Sequence, residues 1–206
     1  MLTAAMLLLQ DAARFRPGET VLVHSASGGV GGALAQLVPA LGGGLRIGTV
    51  GRPDKVASAL ESGYDVAVAR SENLTEAVRA ATGGAGVDIV LDPLGTTMVE
   101  TDLVLAAPGG RIVLFGNAGG GELAELPPAG RLIGGNLAIS GFSIRRLWAT
   151  APHRASAGLR RVLDLIAEGR LDIAITEVGS LADVPAAHQL LAEGRGAGKY
   201  VARLQE

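Results

Sequence analysis

The 206-residue sequence contains no cysteine, which excludes disulfides and thiolate-ligated zinc. Its histidines, His24, His153 and His188, stand too far apart in sequence to suggest a local metal motif. Aromatic residues make up 3% and the net charge is −2, so neither stacking platforms for bases nor a basic field for a phosphate backbone is present, and no nucleic-acid partner is expected. No apolar run approaches membrane-spanning length, so no membrane partner is expected either. The apolar residues 1–9 lack the basic region that opens a signal peptide and run into Gln10, Asp11 and Arg14. They read better as an amphipathic helix with Leu2, Met6, Leu9 and Ala13 along one face.

What the chain does have is apolar content, 48%, enough for one good-sized core, and 31 glycines. The glycines fall in short clusters between periodic segments and carry no repeat, which excludes collagen and argues against a flexible linker. One domain over residues 1–206 is the simplest organisation.

The most informative stretch is residues 20–32, TVLVHSASGGVGG. A β-branched apolar run passes directly into a glycine-rich turn, and the turn opens a helix carrying Leu34, Leu37, Val38 and Leu41. Small residues at such a turn let a pyrophosphate approach the free N–H groups and positive dipole end of the helix. Laid on G-x-G-x-x-G, alanine (Ala26) stands at the first position, while Gly28 and Gly31 keep the second and third. The bland alternative is a turn that merely joins a strand to a helix.

Strand and helix then alternate. Residues 45–50 read as a strand, and Pro53 suits the first turn of a helix that Gly63 closes. Residues 65–68 form the next strand, with Asn73-x-x-Glu76 as a capping box after it. Residues 87–91 are a buried β-branched run ending at Asp92-Pro93-Leu94-Gly95, with a helix from about Thr97. Pro108-Gly109-Gly110 reads as a turn, residues 111–115 as a strand, 116–130 as a long loop and 136–140 as a sixth strand. Beyond these come a helix over 155–168 with Leu159, Val162, Leu163 and Ile166 on one face, a strand at 172–178, a helix at 186–192 and a strand at 200–204. Pro39, late in the second helix, removes the bond to the Ala35 carbonyl and should bend the last turn. Such βα alternation with near-continuous apolar strands implies an α/β, doubly wound parallel sheet.

In the NAD version of this fold a carboxylate about 20 positions past the glycines binds the ribose 2′-hydroxyl. Here the tip of the second strand reads Val50-Gly51-Arg52-Pro53-Asp54-Lys55, with no carboxylate at Val50 or Gly51 and with Arg52 and Lys55 close by. A 2′-phosphate would meet two cations, which favours NADPH. Asp54 offers the competing reading of an ordinary surface ion pair.

Several stretches in order resemble the nucleotide-binding portion of the medium-chain dehydrogenases/reductases, in the zinc-independent quinone oxidoreductase (zeta-crystallin-like) branch. They are Leu2-Thr3-Ala4, Pro17-Gly18-Glu19 with the strand to His24, Gly28-Gly29-Val30-Gly31, Gly48-Thr49-Val50-Gly51 with Lys55, Asp92-Pro93-Leu94-Gly95, Phe115-Gly116-Asn117 and Gly198-Lys199-Tyr200-Val201. The resemblance implies a Rossmann fold in which Ser27, Gly28, Gly29, Val30 and Gly31 hold the pyrophosphate and Lys55, with Arg52, meets the 2′-phosphate. It also implies that Leu94 and Gly95 flank the ribose and that Phe115, Gly116 and Asn117 lie beside the nicotinamide-ribose half. Ala69 stands where close relatives can carry a tyrosine beside the 2′-phosphate, leaving Arg70 as its substitute. For Asn117 the plain alternative is an amide that satisfies its own loop.

Family members carry a preceding barrel-like domain of roughly a hundred residues. The sequence starts where that domain has ended, so the resemblance implies an excised domain, a truncated product or a natural half-enzyme. Residues 171–206 would then be an extension whose strands pack on the absent catalytic domain. The implied activity is NADPH-dependent hydride transfer to a quinone or another activated unsaturated carbonyl, without metal and in the cytoplasm. The alternatives are an enoyl-thioester reductase domain of a polyketide or fatty-acid pathway and a non-catalytic NADPH-binding module. No general acid stands out. His24, Tyr64 and Tyr200 read as packing residues. A hydrolase built on Ser27 lacks the leading glycine of G-x-S-x-G, and a P-loop lacks its Gly-Lys-[Ser/Thr]. The sixth strand, near Leu137, offers an open edge for a homodimer by sheet continuation.

Overall fold

The computed structural model describes residues 1–71, 73–172, 175–193 and 199–202. Helix α1 (Leu2–Leu7) continues into a π-helical turn (Leu8–Ala12). There the Ala13 N–H reaches the Leu8 carbonyl at 2.8 Å, five residues back. Met6, Leu8, Leu9 and Ala13 are fully buried. The segment is thus covered on more sides than a one-faced amphipathic helix would be, because it lies between α2 (Gly29–Ala40) and α8 (Pro152–Ala167).

Six strands form one parallel sheet: β1 (Val21–His24), β2 (Arg46–Val50), β3 (Val66–Ala69), β4 (Val87–Asp92), β5 (Ala106–Leu114) and β6 (Ala138–Gly141). Their spatial order is β3-β2-β1-β4-β5-β6. This is the doubly wound arrangement that the alternation predicted, with chain direction across the sheet reversing between β1 and β4. Every residue of β1 is buried, as a central parallel strand requires. Val21 and Val23 join a core with Met6, Leu34, Leu37 and Leu165 on one side of the sheet, whereas Leu22 joins Val78, Val90, Leu103 and Ile112 on the other. Each such side chain contributes roughly 1.5–3 kcal/mol on burial.

The helices linking these strands are short: α3 (Val56–Glu61), entered through a 3₁₀ turn (Pro53–Lys55), then α4 (Leu74–Ala81) and α5 (Val99–Leu105). Asn73 caps α4 by accepting from the Glu76 N–H at 3.3 Å, and its amide donates to the Glu76 carboxylate at 2.7 Å. Pro39 does sit inside α2. The Ala35 carbonyl it deprives of a partner accepts instead from Arg46 Nη1 at 3.1 Å. Asp65 holds that guanidinium with contacts of 2.9 and 2.7 Å, so the missing helix bond is replaced from the neighbouring strand.

Some local readings are corrected by packing. Pro108-Gly109-Gly110 lies within β5, inside a register shift where Val87 pairs with Ala106 but Ile89 pairs with Arg111. Gly109 adopts φ +84° there, so turn chemistry is spent on a bulge rather than on a chain reversal. The long loop shortens because α6 (Ala129–Gly135) precedes β6, and Asn136 ends that helix in the left-handed conformation instead of starting the strand. A further helix, α7 (Ile144–Thr150), fills the gap before α8. On α8 the buried positions are Ala155, Gly158, Val162 and Leu165, while Leu159 and Leu163 are exposed. A side chain at Gly158 would collide with Leu7 of α1, its Cβ lying 2.7 Å from a Leu7 methyl, so small residues set the contact.

At the end of the described chain, β7 (Ile175–Val178) and β8 (Lys199–Ala202) flank α9 (Val184–Ala192) and pair with each other as a separate parallel sheet. Residues 173–174 and 203–204 of the two sequence-read strands, and Gly198 of the family motif, lie outside the described residues.

The partly buried Arg111 clamps the base of the sheet. Its Nη atoms meet both Glu19 oxygens at 2.8 and 2.6 Å, and its Nε donates to the Ala13 carbonyl at 2.8 Å. Burial pushes the Glu19 carboxyl up, but bonds from Arg111 and the Arg16 N–H outweigh it and leave it below its ordinary value of 4.5. A depressed folded-state value contributes stability that is present above the ordinary one and is lost as pH falls through it. Glu19→Gln is therefore expected to cost about 1–2 kcal/mol at pH 7 and progressively less below pH 4.5, read by urea unfolding across pH.

Candidate functional site

Three loops meet at the carboxyl edge of the sheet, after β1, β4 and β5, on both sides of the point where the winding reverses. After β1 the chain makes a tight turn in which Ser25 takes φ +57° and its carbonyl accepts from the Gly28 N–H at 2.9 Å. Gly28 is the N-cap of α2 in extended conformation, and the first helical bond runs from Gly32 N–H to the Gly28 carbonyl at 2.8 Å. The N–H groups of Gly29, Val30 and Gly31 thus belong to the first turn, where helix geometry supplies no carbonyl partner. Those donors and the helix dipole make the mouth suited to a diphosphate.

Gly31 is buried in this mouth, and a Cβ there would lie 2.6 Å from the Ser25 carbonyl and closer still to that of Ala26. Tyr64 holds the same residue from beneath: its hydroxyl donates to the Gly31 carbonyl at 2.7 Å, and burial pushes the phenol far above its ordinary value. The ring faces Gly48, where any Cβ would lie 3.0 Å from it. Tyr64 is therefore a packing residue as expected, with a hydroxyl contact to the turn that sequence alone did not reveal.

The other two loops interlock. The Phe115 N–H donates to the Asp92 carbonyl at 2.9 Å and the Ala118 N–H to the Pro93 carbonyl at 2.8 Å. Gly95 (φ +90°) leaves no room for a side chain, because its Cβ would sit 2.6 Å from Asn117 Oδ1. The Asn117 amide donates to the Gly121 carbonyl at 3.0 Å, which is the plain loop role foreseen for it. Leu94, Gly95, Phe115, Gly116 and Asn117 are thereby brought together on one rim, at the same carboxyl edge of the sheet as Ser27 and Gly28.

At the tip of β2, Arg52 pairs with Asp54 through contacts of 3.1 and 3.0 Å, both side chains being well exposed. Lys55 stands in the 3₁₀ turn that follows. Arg70, the residue after β3, reaches across to Gly51, where a Cβ would lie 3.1 Å from its Nη2. Its Nη1 is buried without a hydrogen-bond partner. Burial lowers its pKa from the ordinary value, and the Asp92 charge partly restores it. A half-buried guanidinium with an unspent donor at the strand tip is suited to an incoming anion.

A cavity of about 730 Å³ touches the turn at Ser27, Gly28 and Gly29 but opens onto the outer side of α2, towards Leu159, Leu163 and Ile166 of α8. It lies apart from the rim built by the β4 and β5 loops.

An open parallel sheet with this strand order, and a glycine turn plus helix N-terminus at its winding reversal, defines a dinucleotide-binding Rossmann domain. Residues 62–201 match the family described as zinc-binding dehydrogenase. The chain belongs to that family, in its quinone oxidoreductase branch. It is 34% identical to quinone oxidoreductase of Pseudomonas aeruginosa over 200 residues, which are 94% of this chain and 59% of the relative. With a polyketide synthase subunit of Mycobacterium tuberculosis it shares 31% identity over 196 residues, 94% of this chain and 9% of the relative. The Escherichia coli quinone oxidoreductase crystallised with NADPH superposes with a TM-score of 0.83 at 29% identity, covering 98% of this chain and 62% of that one. The chain spans a little over half of the length of the quinone oxidoreductases it matches. Among the described residues no cluster of histidine, aspartate or glutamate could hold a metal ion, and no helix is long and apolar enough to cross a membrane.

Proposed function

We propose that residues 1–206 are the NADPH-holding half of an oxidoreductase that reduces a quinone or a similar activated unsaturated carbonyl. The observation that carries this reading is the mouth at Gly28 to Gly31, where unspent helix N–H groups coincide with a position that a Cβ would fill. The NADPH complexes among the structural relatives support the choice of nucleotide. So does a β2 tip with arginine at 52, lysine at 55 and no carboxylate at positions 50 and 51.

In this reading Ser27, Gly28, Gly29, Val30 and Gly31 bind the pyrophosphate, and Arg52, Lys55 and Arg70 surround the 2′-phosphate. Leu94 and Gly95 flank the ribose, while Phe115, Gly116 and Asn117 border the nicotinamide end. Bound nicotinamide supplies the hydride, and the chain's own contribution is placement and exclusion of water. His24, 1% exposed and bonded on both ring nitrogens, stays a packing residue. The exposed edge of β6 is where a homodimer would continue the sheet.

The similarity to polyketide synthase subunits over 94% of this chain favours, as a second reading, an enoyl-thioester reductase domain with the same cofactor arrangement. Fluorescence titration of the chain with NADPH and NADH tests the shared core: tighter binding of NADPH is expected, and no binding of either nucleotide overturns both readings. Turnover of a quinone against a crotonyl thioester decides between them.

A further inference from the structure

Beneath the ribose-flanking turn lies a buried cluster of polar groups to which the proposed nucleotide contacts assign no role. His24, Thr49, Asp92 and Asp102 are each no more than 1% exposed. They come from β1, β2, β4 and α5, so the cluster ties together both halves of the sheet at the winding reversal. His24 Nδ1 lies 2.7 Å from Thr49 Oγ1 and Nε2 lies 2.8 Å from Asp102 Oδ1. Asp92 Oδ1 accepts the Leu94 N–H at 2.6 Å, a bond that shapes the turn from Asp92 to Gly95.

The Asp102 carboxyl bears on that of Asp92 through its charge and through a side-chain contact, both of which favour a proton on Asp92. Nevertheless Oδ2 of Asp92 and Oδ2 of Asp102 are both fully buried without a donor. Two ionised carboxylates can only accept. Each would leave a buried oxygen unsatisfied, at about 1–3 kcal/mol or more for a charged group, and they would repel across a medium of low polarity. A single proton between them supplies the missing donor and removes the repulsion, as in other carboxyl pairs that share a site.

We propose that Asp92 and Asp102 share one proton, and that this pair is a positioning element which sets the Leu94-Gly95 turn for the nucleotide and weakens nucleotide binding when the proton is lost. Three ionisable groups bear on Asp92: Asp102 from α5, His24 from β1 and Arg70 from the end of β3. Burial raises its carboxyl most, the Leu94 N–H pulls it back, the Asp102 charge raises it and His24 lowers it, and the balance stands at about 6. With an ordinary value of 3.8, the stability contributed by the proton is fully present below 3.8 and is lost as pH rises through about 6. An anionic nucleotide nearby favours the protonated pair, so affinity falls in the same direction. The shared proton rests on the burial of the two carboxyl groups, their unpaired oxygens and the influence of one on the other; its coupling to nucleotide rests on the function proposed above.

The test is carboxyl-carbon NMR of the full chain labelled at aspartate, in the wild type, Asp92→Asn and Asp102→Asn. In Asp102→Asn the amide oxygen still accepts from His24 and the amide N–H₂ gives Asp92 its donor, so the fold is retained. Asp92→Asn keeps the Leu94 bond and donates to Asp102 by the same logic. One aspartate titrating near pH 6 in the wild type and at lower pH in Asp102→Asn is the expected result; an unchanged titration in Asp102→Asn, or no aspartate titrating above about pH 5 in the wild type, overturns the shared proton. In parallel, NADH affinity, free of any 2′-phosphate titration, is expected to fall about three- to tenfold from pH 5.5 to 7.5 in the wild type and less than about twofold in Asp102→Asn. A flat wild-type profile overturns the coupling. An intact titration with no NADH or NADPH bound at any pH overturns the nucleotide reading and leaves the shared proton standing.

Discussion

Replacing Gly31 by alanine is expected to destabilise the chain by about 3 kcal/mol and to weaken NADPH binding by more than about tenfold, because one methyl group meets main chain on one side of a residue pinned on the other. The added Cβ would lie 2.6 Å from the Ser25 carbonyl, and backbone cannot turn aside as a flexible side chain would. Moving α2 outward to relieve the clash stretches the bond from the Tyr64 hydroxyl to the Gly31 carbonyl, now 2.7 Å. Moving the turn instead displaces the Gly28 cap, and the N–H groups of Gly29 and Val30 no longer converge. Either adjustment damages the mouth. Gly32→Ala is the internal control: it lies one residue further along the same helix, and its Cβ would meet nothing within 4 Å. There the change should be neutral or stabilise by up to about 1 kcal/mol through helix propensity alone. Urea unfolding and nucleotide titration on both variants check the pair, and equal behaviour of the two would remove Gly31 from the mouth.

The same residues show what was legible in the sequence. The β1-turn-α2 unit could be read because its signal is local: strand apolarity, glycine spacing and helical period lie within 13 consecutive letters. The doubly wound sheet could be read because parallel strands buried on both faces leave continuous apolar runs. What escaped depends on contacts between distant positions. Ala155 and Gly158 of α8 are too small to look like core residues, yet the close approach of Leu7 makes them the buried stripe. Asp102, in a helix also carrying Glu100, reads as a solvated charge; only the fold brings it against His24 and Asp92. The resemblance offers Arg70 only as a substitute beside Ala69, where relatives can carry a tyrosine, but its Nη2 against Gly51 comes from β2 and β3 being neighbours, and its unpaired Nη1 from burial. Turn residues misled at Pro108-Gly109-Gly110, since a bulge inside a strand and a chain reversal use the same letters.

The cations at the β2 tip are expected to differ in what they contribute to nucleotide choice. Lys55→Ala should weaken NADPH by about 10- to 100-fold while changing NADH by less than about twofold, the range for one charge-assisted hydrogen bond to a phosphate. Arg52 already spends its fork on Asp54 at 3.1 and 3.0 Å. That exposed pair is worth less than about 1 kcal/mol, so a phosphate can compete for the guanidinium, but its net gain is reduced by the bond it breaks. Arg52→Ala should therefore cost NADPH less than the loss of a full charge-assisted bond to phosphate would. Arg70 has the opposite starting point: part of its guanidinium is buried without a partner, and burial has already lowered its pKa. A phosphate that reaches it relieves an existing deficit, and Arg70→Met should cost NADPH at least as much as Lys55→Ala while sparing NADH. Titration of the three variants with both nucleotides at 50 and 200 mM salt separates specific contacts from a diffuse field, since steering by exposed charge fades with ionic strength. Equal losses for NADPH and NADH in Lys55→Ala and Arg70→Met would remove the 2′-phosphate from the β2 tip and, with it, the reason to favour NADPH over NADH.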